Sequence, residues 1–346
     1  MRFLKSIIAA ILLLVTASAF AQEKGVDMDM KAYIFGHVGD SYEWHITAIG
    51  GRPVSIPLPV IVHSRTTGWH CFLSNKLEEG EYEGFHISET SGKIVETAPD
   101  GTEVRPFDMS ITKNVLGLMF GSLLLVVLVL WAAGWYKKHD GMKEAPTGVP
   151  GLVEMLVTMI TDDVIKDAVG KDYEKFAPYL LTAFFFILFN NILGIVPFFP
   201  GGANVTGNIA ITMVLALCTF LAVNLFGNKH YYKDIFWPDV PIFLKAPAPI
   251  MPIIEIIGLF TKPFSLMVRL FANMLAGHIM ILCAVAVIFL TVKMGPLING
   301  SLGVIAVFFG IFLDCLEFLV AFIQAYVFTM LSSVFIGLAH QEPETE

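Results

Sequence analysis

From Val115 onward the chain is written in apolar runs of about twenty residues or more, separated by short polar stretches. Backbone groups placed in lipid must find their hydrogen bonds within their own segment, so runs of this length predict membrane-spanning helices. Five are expected, at about 115–135, 178–197, 209–227, 249–292 and 302–338. The last two exceed what a bilayer needs and are expected to lie tilted or to extend beyond the hydrocarbon as a long two-helix hairpin. Between the first two, Val153, Leu156, Val157, Ile160 and Val164 recur at helical spacing against Glu154, Asp162, Asp163, Lys166 and Asp167. That polar content is too high for a span and predicts an amphipathic helix at the cytoplasmic interface.

Composition agrees with this reading: 55% of residues are hydrophobic and only 15% charged, a balance typical of membrane proteins rather than of soluble domains. The formal charge of −8, without a basic patch, excludes a nucleic-acid partner.

The first residues read as a separate unit. Arg2 and Lys5 precede the apolar stretch Ile7 to Val15, and Ala19 and Ala21 supply a small-residue cleavage pattern, so residues 1–21 are expected to be a secretory signal peptide. Residues 22–110 alternate in short stretches such as 42–46 and 54–58 and are punctuated by Gly50, Gly51 and Pro57, predicting a small β-rich extracytoplasmic domain. Its histidines (His37, His45, His63, His70, His86) match no metal-ligand spacing, and no chemistry is assigned to it. Only Cys71 of the four cysteines falls there, so no disulfide framework is expected. Residues 111–346 form the membrane-embedded domain, giving an all-α polytopic protein with a small β-rich N-terminal appendage.

The lysines orient it. Six fall in 136–175 and three in 228–249, against none in 199–208 and one, Lys293, in 293–301. The positive-inside rule then predicts an outside N-terminus and a cytoplasmic C-terminus, with the acidic tail Glu342, Glu344 and Glu346 carrying little weight.

Against this apolar background, the polar residues of the last two spans stand out. Arg269 is the only arginine after Arg105 and lies mid-span, where a guanidinium costs about 2.5–3.5 kcal/mol on insertion scales. The same span holds Glu255, Ser265, Asn273 and His278, and the next holds Asp314, Glu317 and Gln324. In one antiparallel register, facing residue numbers add to nearly the same value, which sets Arg269 against Gln324 and His278 against Glu317. Glu255 precedes Arg269 by fourteen residues and returns to within about 40° of its face. A charge that cannot be removed therefore lies between groups that titrate. Such groups are suited to line two aqueous half-channels, with the arginine blocking direct passage and a separate carrier needed to cross the middle.

The segment from Thr261 to His278 (TKPFSLMVRLFANMLAGH), with the stretch Ala321 to Phe328 and with Asn190 and Asn191 through Pro197, resembles the signature of the a subunit of F-type ATP synthases. The resemblance covers about residues 110–340. It implies a non-catalytic, stationary proton channel in the bacterial inner membrane, acting beside a c-subunit ring, a peripheral-stalk b subunit and the other ATP synthase subunits. Arg269 would face the c-subunit carboxylate, Gln324 would pack near Arg269, and Glu255 would serve the cytoplasmic half-channel. Many members carry Glu where His278 stands and His where Glu317 stands; the exchange keeps one acid and one imidazole. Asp314, one turn from Glu317, leaves open which carboxylate partners His278. Asn191 is a weaker candidate for the outer channel, with Ser265 and Asn273 near the arginine. No cofactor or metal is expected. A lone transporter would show inverted repeats, and none is found; an intramembrane metalloenzyme would carry a pattern such as His-Glu-x-x-His, and none occurs.

Overall fold

The computed structural model describes Ile34, Gly36 and residues 38–340 apart from 50–51, 78–79, 89–90, 98–101, 142–143, 197–200, 237–249 and 292–293. The expected signal peptide and the acidic tail lie outside the described residues. The chain divides into two compact units: residues 39–278 with 316–346, and residues 1–38 with 279–315.

In the larger unit the N-terminal segment is built of short antiparallel strands: β1 (Glu43–Ile49), β2 (Arg52–Pro57), β3 (Pro59–Ser64), β4 (Gly68–Leu73), β5 (Phe85–Ile87), β6 (Ile94–Thr97), β7 (Glu103–Val104) and β8 (Phe107–Asp108). They form a β1–β2 hairpin and two three-stranded sheets, ordered β4-β3-β8 and β5-β6-β7. The alternation in β3 has a physical cause, since Val60, Val62 and Ser64 are buried while the residues between them face outward. Tyr42, Val60, Val62, Phe72, Leu77, Phe85 and Ile94 make the core. Burial pushes the Tyr42 hydroxyl far above the usual tyrosine range, aided by its hydrogen bond to Asp108 Oδ2 at 2.5 Å.

Among the described residues, five helical stretches are long and apolar enough to cross a membrane. The first is α1 (Lys113–Tyr136). Its own N-terminal residue supplies no cap, and Asp40 does so from a distance: its carboxylate accepts from Asn114 N at 3.0 Å and from Thr112 Oγ1 at 2.8 Å. Next, α2 (Val149–Ile160) continues through a π-helical turn, Thr161–Lys166, into α3 (Tyr173–Ile195). Then come α4 (Ile209–Phe226), capped by Asn208 Oδ1 on Ala210 N, and the short α5 (Lys229–Phe236). The two longest helices are α6 (Ile250–Leu290) and α7 (Pro296–His340). Both run through the unit boundaries. α7 begins at Pro296, ahead of the apolar run at residue 302, because a proline fits the first turn of a helix.

The helical core of the larger unit centres on α3, with Leu180, Phe184 and Ile187 fully buried beside Ile160 and Ile165. Gly337 of α7 closes against the backbone of Ala168, where no side chain would fit. In the smaller unit, Thr291 Oγ1 donates to Asn299 Oδ1 at 2.7 Å, and Gly295 takes the left-handed conformation (φ 98°) that turns the chain.

Candidate proton site

α6 buries one stripe, Leu266, Leu270 and Met274, at spacings of four residues. Ser265, Arg269 and Asn273 repeat at the same spacing on an exposed face. Their neighbours there are apolar as well, with Phe264 60% and Val268 37% exposed. Among the described residues, Arg269 has neither a hydrogen bond nor an ion pair. Gln324 is buried on α7 and is not hydrogen-bonded to it.

Two turns further along α6 the picture reverses. His278 Nδ1 lies 2.7 Å from Glu317 Oε1 on α7. The same nitrogen is 3.0 Å from Met274 O, one turn back, and Nε2 is 3.3 Å from Gly194 O of α3. Every neighbour of the ring nitrogens is an acceptor, so both can donate only when the imidazole carries two protons. The Nδ1 hydrogen is directed at Met274 O, and Glu317 therefore gains the charge of a protonated ring without an aligned hydrogen bond. Both of its oxygens are buried and lack a hydrogen-bond partner. A carboxylate only 4% exposed and so poorly satisfied is costly when ionised alone. The pair is thus coupled: the proton state of one member sets the cost of the other's charge.

Gly277 makes this approach feasible. A Cβ there would stand 2.9 Å from Glu317 Oε1, so any larger residue would shift the carboxyl from this position against α6. Glycine in mid-helix costs about 1 kcal/mol relative to alanine. That cost was the available signal for Gly277, whereas the Gly194 carbonyl, a backbone group, left none. Of the two acids, Glu317 is the one paired with His278, while Asp314 is exposed on α7.

Asn191 is fully buried and joins three segments: its Oδ1 accepts from Thr206 Oγ1 at 2.5 Å, and its Nδ2 donates to Ala321 O at 3.4 Å. Glu255 is half-buried near the other end of α6. Its charge reaches Tyr231 of α5, whose hydroxyl is pushed up first by burial, then by Tyr232 and Glu255. Nearby, a cavity of about 20 Å³, room for one water, is lined by residues including Asn224, Tyr231, Lys262 and Phe335. Lys262 lies two turns from Arg269 and two from Glu255, so the three share one face of α6. No group of three or more His, Cys, Asp or Glu residues able to hold a metal occurs among the described residues.

Residues 118–337 match the family model described as ATP synthase A chain, and residues 33–114 match a family described as a domain of unknown function. The chain is 40% identical over 311 residues to ATP synthase subunit a 2 of Chlorobaculum tepidum, covering 85% of this chain and 82% of the relative. It is 41% identical to ATP synthase subunit a of Chloroherpeton thalassium, covering 68% of each chain. With ATP synthase subunit a of Myxococcus xanthus the identity is 37%, covering 77% of this chain and 87% of the relative. The matched model takes in every candidate residue from Asn191 to Gln324, and this multi-pass membrane protein belongs to the ATP synthase A chain family.

Proposed function

We propose that the chain is the stationary proton-translocating subunit of a rotary F-type ATP synthase, in which Arg269 separates two aqueous half-channels that load and unload protons on a c-ring. One observation carries the reading. Among the described residues Arg269 stands without a partner on an exposed apolar face, whereas His278 and Glu317 beyond it are paired within the chain. A guanidinium in lipid needs a counter-charge, and its five fixed donors suit a carboxylate presented by a neighbouring chain. A c-subunit acid passing this face would be held ionised while opposite Arg269. It would be free to take a proton once it has moved toward either half-channel.

In this scheme His278 and Glu317 form the outer relay and Glu255 the cytoplasmic one. Gln324 backs the arginine, Ser265 and Asn273 flank it on the exposed face, and Asp314 adds an acid near the outer path. Asn191 holds the outer helix ends together. The lysine distribution supports an N-terminus outside and a C-terminus in the cytoplasm of a bacterial inner membrane. The b subunit and the remaining ATP synthase subunits complete the assembly, and the chain itself catalyses no reaction. Arg269→Ala in the reconstituted complex tests the reading: proton-driven ATP synthesis is expected to vanish while the complex stays assembled. Synthesis at the unmodified rate by an assembled Arg269→Ala complex overturns it.

A further inference from the structure

Besides the Asp40 cap on α1, the N-terminal domain meets the helical region through Trp44. Trp44 on β1 is only 3% exposed, and with its cross-strand neighbour Ile56 it packs on Ala203 and Val205, beside Leu116 and Ile211. α1 approaches the same segment closely, since a Cβ on Gly117 would lie 2.6 Å from Ala203 Cβ. Residues 201–208 are thus held from one side by the domain and by the first span.

From the other side the same segment reaches the titratable pair by two routes. At its start, Gly202 N donates to Leu193 O at 3.0 Å, and Ala203 O lies 3.3 Å from where a Gly194 Cβ would stand. Gly194 O is the acceptor facing His278 Nε2. Further along, Thr206 Oγ1 donates to Asn191, which donates to Ala321 O, one helical turn beyond Glu317 on α7. The first route ends on an acceptor of His278 and the second one turn from Glu317. Among the described residues, the groups facing that pair are Glu317 itself from α7 and the carbonyls of Met274 and Gly194 from α6 and α3, with Asp314 one turn from Glu317 on α7, so a shift of segment 201–208 reaches the pair through its geometry.

We propose that the N-terminal domain clamps segment 201–208, with Trp44 as a positioning residue that holds Gly194 O and Asn191 where His278 and Glu317 exchange protons. The proposal rests on the reading of that pair as the proton relay on the side that carries the domain. Without the clamp, Gly194 O drifts from Nε2 and the doubly protonated ring loses an acceptor. Proton uptake from that side then needs a higher proton concentration, whereas the maximal rate, set elsewhere, persists.

The intact ATP synthase in proteoliposomes tests this, with pH varied only in the compartment facing the domain. Trp44→Ala is expected to raise the proton concentration for half-maximal ATP synthesis about three- to tenfold, with the maximal rate within about twofold. Trp44→Phe should keep most of the unmodified behaviour. Thr206→Val, which leaves the domain untouched, should shift the half-saturation in the same direction. His278→Ala serves as the control for the relay. If it alters the dependence on this compartment while Trp44→Ala and Thr206→Val do not, the clamp is wrong and the relay stands. If His278→Ala leaves that dependence unchanged, the relay fails and takes the clamp with it. Should Trp44→Ala not assemble, Thr206→Val decides alone, and an unchanged half-saturation overturns the proposal.

Discussion

Arg269 and His278 stand nine residues apart on one helix and are treated in opposite ways. His278 is enclosed: three acceptors surround its ring, and Gly277 leaves space for the Glu317 carboxyl beside it. Arg269 lies on the exposed face with no partner among the described residues. As the proposed relay, His278 keeps Glu317 as a partner within its own chain. A fixed charge that acts on a moving carboxylate must keep its surface free. On the proposed function, the outer proton relay lies within this subunit, whereas the barrier at Arg269 is completed by a neighbouring chain.

That contrast can be broken most severely at the arginine. Arg269→Lys keeps a charge but loses the planar donor fork and can be deprotonated when desolvated, so ATP-driven proton pumping is expected to fall by more than about tenfold. Pumping at the unmodified rate would mean that charge alone suffices there. The enclosed pair should tolerate exchange better than loss. His278→Glu sets two acids together and Glu317→His sets two imidazoles together, and each is expected to cut pumping about tenfold. The double variant restores one acid and one imidazole and should recover a substantial share. A double no better than the worse single, also with Asp314→Asn present, would show that the two do not act as a unit.

Gly277→Ala separates stability from function. The helix gains about 1 kcal/mol of propensity, yet a Cβ 2.9 Å from Glu317 Oε1 displaces the carboxyl. Proton flux is expected to drop severalfold with no loss of assembly, and unchanged flux would mean that Glu317 need not touch α6. The smallest effect is expected at Glu255→Gln. Its half-buried site beside Tyr231 is reached by water more readily than the His278 pair, so flux should slow by about two- to fivefold. No change across several pH values would make Glu255 a solvated helix-end acid.

Much of this architecture was legible because lipid imposes long apolar runs. The first span, expected at 115–135, is Lys113–Tyr136, and the third, expected at 209–227, is Ile209–Phe226. The strands expected around 42–46 and 54–58 are the β1–β2 hairpin. The meeting of His278 with Glu317 was legible through antiparallel register, which needs only the residue numbers. What pattern cannot convey is which face of a helix is covered and which backbone groups approach. The exposure of Arg269, the Gly194 carbonyl and the contact of Trp44 with Ala203 depend on packing between distant segments. Asn191 shows the same limit: a polar residue at a helix end reads equally as cap or channel lining, and only its bonds to Thr206 and Ala321 identify it as a tie between elements.

Whether the partner of Arg269 lies on another chain can be measured directly by disulfide cross-linking in the assembled complex. Asn273 sits one turn from Arg269 on the same exposed face, and Ala325 is fully buried on α7. With Cys71, Cys218, Cys283 and Cys315 replaced by serine, Asn273→Cys is predicted to form a disulfide with a cysteine placed near the acidic residue of the c-subunit helix. Ala325→Cys should form none. An Asn273→Cys variant that assembles and synthesises ATP but cross-links to no position along the c-subunit helix would contradict the account.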